Sequence, residues 1–243
     1  MSPRRLLLIL TTVLAGLADA GARDVKVAVG HALPPYIFPE TGVGIEIDIV
    51  RQALAPGGFE VEPVYLPLAR VPHQLAAGKV DAALTISASS GLENVHYSDS
   101  HVAYRNVAVS LAQSGLRIDS VADLAGKSVI GFQNATAYLG EEFAAVATAN
   151  RRYSELADQE RQVKMLYLGR AQVIVADVNI YRYYSQNTAS VDTTIATVIH
   201  PIFPATPYQV AFLDPDLRDR FNRGLAALRE SGEYAAIIAK YVH

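Results

Sequence analysis

Six histidines, at positions 31, 73, 96, 101, 200 and 243, are the side chains best suited to proton transfer or metal ligation. No two of them stand four residues apart, as helical zinc ligands do, so the spacing predicts no metal site. The chain has no G-x-S-x-G elbow, no P-loop and no H-E-x-x-H, and Gly42-Val43-Gly44 lacks the third glycine of a dinucleotide fingerprint. With no cysteine, thiolate chemistry, disulfides, Cys-based metal sites and a lipobox anchor are all excluded. Glu93, Asp177 and His31 are the acids an enzyme would have to use, and no pair of them has a diagnostic spacing. Against 24 acidic residues stand 21 basic ones, a net charge of −3 that offers nothing to nucleic acid. Such a chain is expected to bind rather than transform, with no catalytic residues, no metal and no cofactor.

The elements that must position the remaining polar groups follow a regular order. Arg4 and Arg5, an apolar stretch from Leu6 to Ala18 and the small residues Ala18-Asp19-Ala20 form a secretory signal, cleaved after Ala20 or Ala22. The apolar stretch is shorter than the roughly 20 residues needed to span a bilayer. Loss of Arg4, Arg5 and Asp19 moves the net charge from −3 to −4. Next come an apolar strand at Val25–Val29, a proline-containing loop from His31 to Pro39 and a helical pattern from Ile45 to Ala55 stopped by Gly57-Gly58. A strand at Glu60–Tyr65, a helix over Ala69–Ala77 and a strand at Ala82–Ile86 complete one βα series. A second begins after Ser120-Val-Ala-Asp123, a capping-box pattern: strand Ser128–Phe132, helices Tyr138–Ala149 and Asp158–Leu168, strand Val173–Ala176, helix Val178–Ser185 and sheet residues within Thr193–Ile199. Beyond Pro201–Pro207 the pattern predicts a strand at Gln209–Leu213 and helices at Leu217–Glu230 and Tyr234–Tyr241. Two βα units without a linker predict two lobes with a ligand cleft at the carboxyl ends of the strands.

Pro34-Pro35-Tyr36, Gly44-Ile-Glu-Ile-Asp48, Gly78-Lys-Val-Asp81, Tyr97-Ser-Asp99, Asp123-Leu-Ala-Gly126-Lys127-Ser-Val129, Val175-Ala-Asp177 and Phe221-Asn-Arg-Gly-Leu225 leading into Gly232-Glu-Tyr234 stand in a specific order. In that order the chain resembles the bacterial periplasmic solute-binding proteins of family 3, the polar amino acid transport type. The resemblance implies an α/β, two-lobed periplasmic binding protein fold (type II). Each lobe would be a mixed, mostly parallel sheet flanked by helices, the two joined by two crossing strands. Lobe 1 would be residues 23–101 plus 208–243, and lobe 2 residues 102–207. It further implies a monomeric periplasmic receptor that captures a small anionic or zwitterionic ligand, amino acid-like or another organic acid, and delivers it to an ABC permease in the inner membrane. Two alternatives sit on the same scaffold: an enzyme similar to the periplasmic cyclohexadienyl dehydratases, and a ligand-sensing module.

In the family an arginine a few residues after the third strand holds the ligand's carboxylate and aspartates hold its ammonium. Here Thr85 to Asn94 contains no arginine, and Gly30-His31 stands where the first strand's aspartate belongs. Asp177 keeps the family pattern, and its place before Val178 suits a helix N-cap equally well. Leu66-Pro-Leu-Ala-Arg70 resembles a P-W-x-R element of less characterised members and would put Arg70 in a helix's first turn, where its fork grips a carboxylate or phosphate. Arg105, on the crossing strand, is the reserve cation. The loop Gln133-Asn134-Ala135-Thr136 is one whose amides and hydroxyl family members lend to the ligand's carboxylate, although Thr136 also suits a cap. Thr85 and Ser87 would offer hydroxyls at the end of the third strand, and Tyr36 and Tyr104 would wall the cleft.

Overall fold

The computed structural model describes residues 23–30, 32–86 and 91–242; residues 1–22, over which a secretory signal is expected, His31 and Ser87 lie outside the described residues. Alternation of Val25, Val27 and Val29 sets β1 (Arg23–Gly30), which pairs in parallel with β2 (Phe59–Leu66) and with β3 (Ala82–Ile86). Between β1 and β2 runs α1 (Ile45–Leu54), whose Ile45, Ile47, Ile49 and Val50 are all buried in the first core. Gly58, left-handed at φ 75°, closes the turn that follows it.

After β2 the continuous helix expected over Ala69–Ala77 is replaced by a 3-10 turn, Leu68–Arg70, and a short α2 (Val71–Ala76). Pro72 is the reason: proline, lacking an N–H, sits in the first helical turn, so the α-helix starts at Val71 and Arg70 becomes its N-cap. The chain then adds β4 (His96–Tyr97) and β5 (Val102–Tyr104), passes Arg105, and enters a second sheet as β6 (Asn106–Leu111).

The second sheet is built on β7 (Val129–Phe132), which follows a complete capping box between Ser120 and Asp123. The single helix expected over Tyr138–Ala149 is two: α3 (Ala135–Tyr138) and α4 (Glu141–Ala149), divided at Gly140, whose φ of 88° no helix continues through. An unanticipated strand, β8 (Tyr153–Leu156), precedes α5 (Gln159–Tyr167), β9 (Val173–Asp177), α6 (Val178–Asn187) and β10 (Thr197–His200). The chain returns to the first sheet as β11 (Thr206–Phe212) and ends in α7 (Pro215–Ser231) and α8 (Glu233–Tyr241).

Strand order is β2-β1-β3-β11-β4 in the first sheet, with β5 on β11, and β10-β6-β9-β7-β8 in the second. Both sheets are mixed, as expected, but not mostly parallel: of the nine strand pairings among the described residues five are antiparallel, because β11 runs against β3, β4 and β5, and β6 runs against β9 and β10. Each sheet has helices packed on it and its own buried core, one centred on Val27, Ile49 and Phe212, the others on Val109, Ile174 and Val175.

Candidate functional site

Where the two sheets meet, the β1–α1 loop, the β5–β6 crossing and the start of α6 converge on two buried carboxylates. Glu46 opens α1, held there by backbone bonds from the Ile45 and Glu46 amides to the Pro35 and Tyr36 carbonyls at 3.1 and 3.2 Å. Gly44, at φ 140°, permits this approach, since a β-carbon there would collide with the Tyr36 carbonyl. Glu46 is fully buried and accepts from the Tyr104 hydroxyl at 2.7 Å, His101 Nε2 at 2.9 Å and the Thr85 hydroxyl at 3.0 Å. Such donors offset the cost of taking a carboxylate out of water. With Nε2 bonded to Glu46, His101 Nδ1 is buried without a partner among the described residues. Thr85 has φ 55°, an uncommon value for a β-branched residue, and strain of this kind collects at functional sites.

Asp177 lies at the end of β9, opposite Asn106 of β6, and is 2% exposed. Its Oδ1 accepts the Asn179 and Ile180 amides at 2.9 and 3.1 Å, capping α6, and also the Tyr36 hydroxyl at 3.0 Å. Its Oδ2 accepts the Arg105 amide at 2.8 Å. Burial pushes the Asp177 carboxyl above the usual aspartate range, against the pull of these donors. Burial, and then the nearby Asp177 charge, pushes the Tyr36 phenol well up. Tyr36 stacks on Tyr104 with ring centres 4.1 Å apart, and Tyr208 meets Tyr104 edge-on at 4.8 Å.

Of the candidate residues, Tyr36, Thr85, Tyr104, Arg105 and Asp177 come together in this one cluster. Asn134 and Thr136 meet elsewhere, around Glu155 of β8. Arg70 stands exposed at the start of α2, and the Arg105 side chain is exposed at the crossing; neither guanidinium forms an ion pair among the described residues. Ser87 falls outside the described residues. Glu46, His101, Tyr208 and Glu155 were not anticipated. The one sequence signal for Glu46 is its place inside the apolar run Ile45-Glu46-Ile47, where a charge on a buried helix face needs partners. Among the described residues no three His, Asp or Glu side chains gather as a metal-holding group, and no helix is long and apolar enough to cross a membrane.

Two mixed sheets flanked by helices, crossed twice by the chain and meeting at a buried polar cluster, define a two-lobed α/β protein of the type II periplasmic binding class. Residues 25–243 match the bacterial extracellular solute-binding proteins, family 3, and the chain belongs to that family. Its fold is shared by the GluR0 ligand-binding core in complex with L-glutamate (TM-score 0.74, 17% identity, 91% of this chain and 99% of that one). A histidine kinase sensor domain with similarity to periplasmic binding proteins is also similar (0.71, 21%, 90% and 96%). So is the amino acid ABC transporter substrate-binding protein AbpA from Streptococcus pneumoniae bound to L-arginine (0.68, 16%, 90% and 94%). A comparison with curated protein sequences finds no match.

Proposed function

We propose that this protein is an exported, monomeric periplasmic receptor that takes up a small organic anion between two lobes, divided close to residues 101 and 207, and presents it to an ABC permease. Family membership supports solute binding, and the amino acid ligands named for AbpA and the GluR0 core belong to relatives of the same fold. One observation carries the choice of an anion over a zwitterion: Asp177, the residue that family resemblance assigns to a ligand's ammonium, already accepts four donors from the chain itself. A ligand ammonium would have to displace the Tyr36 phenol from a site 2% exposed. An anionic group, by contrast, has two exposed arginines available, Arg70 and Arg105. The same engagement argues against Asp177 as the acid of a dehydratase.

Calorimetry with ligand pairs that differ only in the amino group, glutamate against glutarate and alanine against propionate, tests the reading. The acid lacking the amine binds at least as tightly in each pair; a ten-fold or greater preference for the amino acid refutes it. Arg70→Ala, at an exposed position, costs about 0.5 kcal/mol or less of stability. It weakens the acid by roughly 1.5–3 kcal/mol, the worth of a charge-assisted bond, and Arg70→Lys recovers part of that. Binding that survives Arg70→Ala and fails in Arg105→Ala transfers the role to Arg105.

A further inference from the structure

The second lobe holds a carboxylate that the reading above does not use. Glu155, in β8, sits opposite Gly131 of β7 in a parallel register, one step from the loop that follows β7. Its Oε2 accepts the Asn134 amide at 2.7 Å. Its Oε1 accepts the Thr136 amide and the Thr136 hydroxyl, both at 3.1 Å, and the Tyr153 hydroxyl at 2.8 Å. Asn134 takes up φ 63° to aim its N–H this way, a conformation asparagine tolerates better than most residues. Gly131 leaves the space in which the Tyr153 phenol reaches across: a β-carbon there would stand 2.7 Å from that oxygen. Every one of these contacts is internal to the β7–β8 pair and its loop, so the arrangement does not depend on how the two lobes sit.

This loop is the one whose amides and hydroxyl the family resemblance lends to a ligand's carboxylate. Here the chain's own carboxylate takes them. We propose that Glu155 is a specificity-determining residue, a resident occupant that bars a ligand carboxylate from the second lobe. Resting on the anion reading above, it follows that the ligand's charge is met by the first lobe and the crossing, and that the second lobe receives its uncharged part. A second anion at the loop would find the amide hydrogens already engaged and a like charge beside them. Burial disfavours ionised Glu155, yet the Thr136 amide, the Tyr153 hydroxyl and the Asn134 amide outweigh it and hold the carboxyl below its ordinary range, so the occupant is an anion at neutral pH. The surface next to the loop is aromatic: Phe132 and Tyr138 flank it with ring centres 6.4 Å apart, and Tyr138 is 51% exposed, suited to a ring or an apolar body.

The test is a titration of the isotopically labelled protein with sodium formate, against sodium chloride at equal ionic strength, read at the Asn134 and Thr136 amide resonances. The wild-type amides show no saturable response. In Glu155→Ala both shift saturably, and formate raises the melting temperature above the chloride control. Glu155→Gln, which keeps the volume and removes the charge, carries the same comparison if the alanine variant does not fold. Amides indifferent to formate in a folded variant, or a wild-type response as strong as the variant's, overturn the proposal. In calorimetry, the preference for glutarate over butyrate rises roughly ten-fold or more in Glu155→Ala, the equivalent of one charge-assisted hydrogen bond. An unchanged preference also overturns it. If neither acid binds wild type or variant, the anion-receptor reading fails instead, and the amide response still decides the role of Glu155.

Discussion

Asp177 at the meeting of the sheets and Glu155 in the second lobe each accept four hydrogen bonds from amides and hydroxyls, yet the fold moves their carboxyls in opposite directions. Asp177 is raised, because burial at 2% exposure outweighs its four donors. Glu155 is lowered, because burial is weaker there than the combined pull of Thr136, Tyr153 and Asn134. The lesson is that depth, rather than the number of donors, decides whether a hydrogen-bonded carboxylate stabilises the ionised fold. One site ties two sheets together at an electrostatic cost; the other lies partly buried within one sheet.

Removal of the whole group should show the largest contrast. Asp177→Ala strips the α6 cap and leaves the Arg105 amide and the Tyr36 hydroxyl without an acceptor, an expected loss of about 2–4 kcal/mol. Glu155→Ala exposes its donors to water and loses about 1 kcal/mol. Urea denaturation measures both, and equal losses would break the comparison. A smaller perturbation sharpens it: Tyr36→Phe keeps the stack on Tyr104 and deletes one donor, costing roughly 1.5 kcal/mol. Because that donor pulls the Asp177 carboxyl down, its removal raises the carboxyl further, readable from the side-chain carbon resonance as pH is varied. A downward move would contradict the assignment.

The smallest effects lie in the pH dependence of stability, and their signs oppose. Glu155, lowered in the fold, contributes stability that is fully present above the ordinary glutamate value of about 4.3 and is lost as pH falls through its folded value. Asp177, raised in the fold, contributes on the acid side, below the ordinary value of about 3.9, and loses that contribution as pH rises through its folded value. The stability difference between wild type and Glu155→Gln should therefore shrink as pH falls from 6 to 3, while that between wild type and Asp177→Asn moves the other way. Two differences with the same slope would remove the distinction.

Local pattern was enough to place the elements that carry these groups. The isoleucines at 45, 47 and 49 with Gly57-Gly58 behind them mark α1, the apolar run Ala82–Ile86 coincides with β3 residue for residue, and Asp177 before Val178 is recognisable as a cap. Two boundaries went astray where one residue changed the local geometry, Pro72 at the start of α2 and Gly140 between α3 and α4. Strand β8, Tyr-Ser-Glu-Leu on the sheet's edge, carries too little apolar alternation to be read in advance, and Glu155 was hidden with it.

By itself the sequence determined the class of fold, the order of its βα units and the absence of thiol chemistry, because strand and helix periods and residue inventory are local properties of the chain. Only the tertiary structure decided what the acidic groups do. The Tyr36 hydroxyl that reaches Asp177 lies 141 residues away in sequence, the Tyr104 hydroxyl that reaches Glu46 lies 58 away, and the Thr136 hydroxyl bonded to Glu155 lies 19 away. Whether a carboxylate is free for a ligand depends on which donors the fold brings within 3 Å and how much water it leaves, and neither quantity is written at the residue's own position.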